Sequence, residues 1–194
     1  MDHAVDTLVF IPGLLVETDR VREGATTKRL NAGVLRVVDA LNMWRLQRLP
    51  QHFAQSSGQK PTTLESVVQE LSDGSITDAT TAQAVVLHLS NWLLLTRLEP
   101  IYIASLPYSV TYLTESILDI AEEFSYRHSE TGVLPWTTAI RVALFTHLQD
   151  PDREPTRVRG RELCVRVEAR YSTRMLSDII ASLPGTDEKL KFDE

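Results

Sequence analysis

Residues 81–98, TAQAVVLHLSNWLLLTRL, form the longest apolar run in the chain and lie near its middle. Their apolar positions cover most of a helical wheel, the pattern of a helix enclosed by other helices rather than laid on a surface. Gln83, His88, Asn91 and Arg97 interrupt the run, so the roughly 18 uninterrupted apolar residues of a membrane span are missing. A chain with this segment at its centre must supply enough amphipathic neighbours to surround it.

Those neighbours read as helices. Over residues 3–22, Val5, Leu8, Val9, Pro12, Leu15, Val16 and Val21 lean to one side. Pro12-Gly13 predicts a kink there or a division into two short helices, and Gly24 a stop. Residues 27–49 carry Leu30, Val34, Val37, Val38, Leu41 and Trp44 at helical spacing. Residues 50–61, PQHFAQSSGQKP, are the clearest loop. Thr62-x-x-Glu65 has the form of a capping box opening a short helix to Leu71. The SDGS at 72–75 breaks that helix, and Thr77 or Asp78 is placed to cap the central one. Ile101-Tyr102-Ile103, between Pro100 and Pro107, predicts an extended packed link rather than a strand.

Residues 108–127 show the cleanest stripe, with Val110, Leu113, Ile117, Ile120, Ala121 and Phe124. Pro135 suits a first helical turn, after which Trp136, Ile140, Ala143, Leu144, His147 and Leu148 share a face. A polar break with Asp150, Pro151, Asp152 and Pro155 precedes a last helix over 158–183, and Pro184-Gly185 ends it. The expected fold is all-α: an irregular bundle of about six main helices around the central one. It occupies residues 1–183 as one domain, with a charged, flexible tail at 184–194.

With 194 residues, 43% of them hydrophobic, such a domain buries roughly 70% of its unfolded surface. The net charge of -6 argues against general electrostatic binding to nucleic acid or acidic membranes. Cys164 is the only cysteine, which excludes an intramolecular disulfide and a multi-cysteine zinc cluster and fits a reducing compartment. The eight glycines are scattered singly, so there is no phosphate-cradling loop.

Three places carry candidate chemistry. The first is the central helix, where His88, Asn91 and Trp92 are polar-bearing groups in an apolar wall. They either satisfy one another in a packed core or orient a small ligand. The second is the segment Arg153, Arg157, Arg159, Arg161, Arg166, Arg170 and Arg174, in which Arg166, Arg170 and Arg174 form a ridge at i, i+4 and i+8. It is a solvated face, with Glu162 four before Arg166 to pair with it, or a surface for an acidic partner centred on Arg159, Arg166, Arg170 and Arg174. The third is Glu122-Glu123, which reads as surface charge because no partner for acid–base work is visible. None of the five histidines has the spacing of a metal site, and no cofactor is implied. LVFIPGLL at 8–15 looks like the opening of an α/β-hydrolase, but the Gly-x-Ser-x-Gly elbow that fold requires is absent.

The order of short motifs resembles a known family. Phe10-Ile11-Pro12-Gly13-Leu14-Leu15 with Asp19-Arg20 comes first, then Leu41-x-x-Trp44 with Leu49-Pro50. Leu94-Leu95 with Arg97-Leu98 follows, and Gly132-Val133-Leu134-Pro135 with Ala139 and Arg141-Val142-Ala143 comes last. The series is similar to the helical regulatory region that lies C-terminal to the DNA-binding domain in fungal Zn2Cys6 (C6 binuclear cluster) transcription factors. The six-cysteine cluster itself is absent from these residues. The resemblance implies a non-enzymatic regulatory or interaction module that is nuclear and acts through a protein partner, self-association or a small effector; the missing zinc cluster and the acidic charge predict no direct nucleic-acid binding by this chain, and the interrupted apolar run predicts no membrane span. Two alternatives stand beside it: a helical adaptor or effector unrelated to transcription and cytoplasmic, and a small-molecule-binding protein or enzyme using the His88 region.

Overall fold

The computed structural model describes residues 2–24, 26–50, 63–96, 107–127, 133–146 and 154–171; they form seven α-helices and one π-helical turn, with no strand among them. The helices are α1 (Asp2–Arg22), α2 (Lys28–Met43), α3 (Leu64–Ser72), α4 (Ala79–Leu95), α5 (Val110–Arg127), α6 (Val133–Thr146) and α7 (Glu154–Tyr171). The all-α expectation is met.

The central run becomes α4. Asp78 caps it: its carboxylate accepts from the backbone N–H of Thr80 and of Thr81 and from the Thr81 hydroxyl. Of the 17 residues of α4, all but Thr80 and Leu94 are buried. It packs against α5, α6 and α1, and more lightly against α2. Its polar side chains are drawn into local bonds: the Ser90 hydroxyl donates to the Val86 carbonyl at 2.7 Å. The helix closes at Thr96, whose hydroxyl donates to the Leu93 carbonyl. The core around it gathers Leu30, Leu41, Leu71, Leu113, Phe124, Trp136 and Leu163 from the surrounding helices. Burying each such side chain contributes about 1.5–3 kcal/mol.

Several boundaries differ from expectation. Helix α1 runs unbroken through Pro12-Gly13. Ile11 and Leu14, on either side of the pair, are both buried, so packing on α2 and α4 holds one helix across the missing backbone donor. It stops at Gly24, as expected, with φ of 100° and its N–H on the Val21 carbonyl; that backbone conformation suits only a residue without a Cβ. The cap of α3 is Thr63 rather than Thr62. Its hydroxyl accepts from Ser66 N–H, and the Ser66 hydroxyl returns a bond to the Thr63 carbonyl. The apolar register decides between the two threonines, since a start at Leu64 turns Leu64, Val67, Val68 and Leu71 inward.

Helical structure runs through the π-helical turn Trp44–Arg48 to Leu49, as expected, and Pro50, the first residue of the expected loop, is still helical. Helix α7 begins at Glu154 rather than 158, so Pro155 sits inside its first turn, where a missing N–H costs nothing. The expected loop at 51–61, the link at 101–103, the ends of the last two helices and the tail at 184–194 lie outside the described residues.

Two glycines let helices approach closely. A Cβ on Gly33 of α2 would meet Leu14 Cδ2 of α1 at 2.3 Å. A Cβ on Gly160 of α7 would meet Leu144 of α6, with Cδ2 at 2.3 Å and Cγ at 3.1 Å.

Candidate functional site

Trp44, which begins the π turn, continues the buried stripe of α2, and its ring stacks on His88 of α4, with centroids 4.5 Å apart and planes 23° apart. One turn later on α4, the Trp92 indole N–H donates to His88 Nε2 at 3.0 Å. The chain of rings continues from Trp92 edge-on to Tyr108, and from Tyr108 stacked on Tyr112. Arg45, the second residue of the π turn, donates from a guanidinium nitrogen to the Tyr108 hydroxyl at 3.2 Å. His88 has no exposed surface. Burial lowers its pKa to about 3, and the positive charge of Arg45 pushes the same way. The ring is therefore neutral. Because Nε2 accepts the indole bond, the proton resides on Nδ1. That Nδ1 is buried and has no hydrogen-bond partner among the described residues. Asn91, three residues on, is also fully buried.

A second constellation joins α7 to α5. Arg159 reaches three carboxylates of α5: Glu115 at 3.2 Å, Asp119 at 2.6 Å and Glu122 at 2.7 Å. Arg166, two turns on, bonds the other oxygen of Glu122 at 3.0 Å. Thr156 adds a hydroxyl bond to Glu115 at 2.8 Å. The hydrogen bond from Arg159, with that from Arg166, holds the Glu122 carboxyl below the usual carboxylate range. An open depression of about 290 Å³ lies here, lined by Gln69, Ser72, Asp73, Asp119, Glu122, Glu123 and Arg159. The arrangement clamps two helices together, because each bond is charge-assisted and the carboxylates stand at i, i+4 and i+7.

A third feature faces outward. On α2 and the π turn, Leu35, Met43 and Leu46 are 62%, 49% and 65% exposed. Lys28, Arg29, Arg36 and Asp39 are exposed on the same helix and make no ion pair among the described residues.

His88 and Trp92 are thus brought into direct contact, with Trp44, Arg45, Tyr108 and Tyr112 joining them. In sequence Trp44 is expected only on the inner stripe of its helix, and Arg45, Tyr108 and Tyr112 are not singled out. Trp44 and Tyr108 lie far from His88 in sequence, so helical spacing alone does not bring them to it. Arg159 and Arg166 are brought together on α5. The expected Glu162–Arg166 pairing is replaced by Glu122–Arg166 across the interface. The acidic ladder Glu115, Asp119, Glu122 was the available signal. Arg170 lies in α7, its side chain not described, and Arg174 lies outside the described residues. Cys164 is buried.

Among the described residues, no group of three or more His, Cys, Asp or Glu side chains gathers to hold a metal, and no helix is long and apolar enough to cross a membrane. No family model, curated protein or solved structure matches the chain.

Proposed function

We propose that this chain is a non-enzymatic regulatory or interaction module that works by presenting a helical surface to another protein. The observation that carries the reading is the outward row Leu35, Met43 and Leu46 on α2 and the π turn. Apolar side chains clustered on one exposed helix, rimmed by polar residues, mark interaction surfaces. The resemblance of the motif order to the regulatory region of fungal Zn2Cys6 transcription factors supports the regulatory part and a nuclear setting. Direct nucleic-acid binding is no part of the proposal, given the net charge of -6. Affinity capture of the intact chain from its native cells tests it. A stoichiometric protein partner is expected, and a chain that emerges alone at low and high salt overturns the reading.

The buried Nδ1 of His88 favours a second reading, in which a small molecule bearing an acceptor oxygen completes that bond. Such a ligand would sit against Trp44 or Trp92 and change the intrinsic tryptophan fluorescence. A metabolite screen read by that emission, repeated on His88→Leu, separates it from the interaction reading. Responses that survive the substitution discard it.

A further inference from the structure

We infer that the outer face of α2 and the π turn docks an amphipathic helix with acidic flanks from a partner protein. This rests on the interaction reading above and names the chemistry of the partner. Along α2, Leu35, Met43 and Leu46 stand at helical spacing over about 16 Å of axis, with Ala32 and Ala40 also exposed among them. A ridge of that length on one helix is matched by the groove of another helix, which offers its own apolar row at i, i+3 or i+4 and i+7.

Charge identifies the occupant. Lys28, Arg29 and Arg36 surround the row, opposed by Asp39 alone, and none of the four pairs among the described residues. Other arginines are engaged: Arg20 with Glu17, Arg157 with Glu154, and Arg159 and Arg166 with α5. On α2 three cations without an ion pair among the described residues thus stand together beside the exposed leucines. Carboxylates flanking an incoming apolar row would complete them and speed the encounter. A second copy of this face would bring three cations against three, with only Asp39 to relieve them, so a different, acidic partner fits better.

The test uses the intact chain and a fluorescently labelled helical peptide of about 15 residues, with leucines on one face and glutamates flanking them. A second peptide carries lysine in place of each glutamate. Anisotropy titration is expected to show saturable binding of the glutamate peptide that weakens as salt is raised. Leu35→Gln with Leu46→Gln, and separately Arg36→Glu, should each weaken it at least about tenfold. Both changes are on exposed side chains, and unaltered circular dichroism and melting confirm the fold. The proposal is overturned by absent binding, by equal binding of the lysine peptide, or by affinity that the variants leave unchanged. It is overturned in favour of a second copy if sedimentation shows a dimer lost in the leucine variant. It is overturned in favour of a membrane if phosphatidylserine vesicles bind the chain and the same variant abolishes that. A native partner captured equally by wild type and the leucine variant discards this face and leaves the interaction reading standing.

Discussion

The indole N–H of Trp92 donates to His88 Nε2 at 3.0 Å, one turn apart on a helix with almost no exposed residue. That bond fixes the tautomer, and burial keeps the ring neutral with a pKa of about 3. In the unfolded chain the same ring titrates near 6.5. The folded value is the lower of the two, so as pH falls below about 6.5 the unfolded state binds a proton that the native state refuses. Stability from this group is complete above that pH and is lost progressively toward about pH 3. Between about pH 7 and about pH 5 the loss is about 2 kcal/mol. Urea unfolding at both pH values measures it, and in His88→Leu the difference should shrink by most of that amount. An unchanged slope in the variant would falsify the assignment.

The clamp between α5 and α7 is likewise lost on acidification, but only in the acid range below that of the histidine. The carboxyl of Glu122 is lowered by Arg159 and then Arg166, so its contribution is present above the ordinary carboxylate pKa and disappears only as pH falls through the depressed value. The clamp therefore holds across the neutral range. Arg159→Met should cost about 1–3 kcal/mol, because it removes charge-assisted bonds to three half-buried carboxylates at once. Arg20→Met, which breaks one exposed i,i+3 pair with Glu17, should cost less than about 0.5 kcal/mol. Thermal melts of the two variants give the comparison. Hydrogen exchange should show the amides of Leu163 and Val167 opening first in the Arg159 variant.

The central helix depends on its cap. Asp78 satisfies two backbone donors and the Thr81 hydroxyl at the start of the most buried element. Asp78→Ala should destabilise the whole protein by about 1–2 kcal/mol. Thr63→Ala removes one bond at the start of α3, a shorter helix at the periphery, and should cost about 1 kcal/mol or less. Chemical denaturation of both variants ranks them, and equal costs would mean that α4 is anchored by its packing alone.

What the sequence revealed follows the range of each signal. The all-α class, the buried α4, its Asp78 cap and the Gly24 stop come from periodicity and from side chains acting on their own backbone, so they are legible locally. The choice between Thr62 and Thr63 turns on one residue of register, which is set when Leu64 packs inward. The unbroken α1 defeats the Pro12 signal because tertiary contacts on Ile11 and Leu14 outweigh a lost bond. His88 and Trp92 could be paired in sequence because they are one turn apart. Trp44 could not, since only the packing of α2 against α4 brings it to His88. Arg166 chose Glu122 over its helical neighbour Glu162, a decision made by the approach of α5 rather than by spacing.

The approach of α6 to α7, and that of α1 to α2, is set by small residues. At Gly160 an added Cβ would lie 2.3 Å from Leu144 Cδ2, 3.1 Å from Cγ and 3.7 Å from Cδ1. The Cδ2 contact is a clash and the Cγ contact is tight, so the leucine's branch point as well as its methyl must give way. At Gly33 the clash is with Leu14 Cδ2 alone, its Cγ being 3.8 Å away, and a rotamer change relieves it. Gly160→Ala should therefore cost about 1–3 kcal/mol as an overpacked contact, despite the gain of about 1 kcal/mol in helix propensity that alanine brings. Gly33→Ala, with the same propensity gain and a smaller penalty, should lie within about 1 kcal/mol of wild type. In a double-mutant cycle, Leu144→Ala should cost less in the Gly160→Ala background than alone, because the new methyl occupies part of the space the leucine leaves. Additive costs across that cycle would show that the two helices accommodate the methyl by moving the backbone elsewhere.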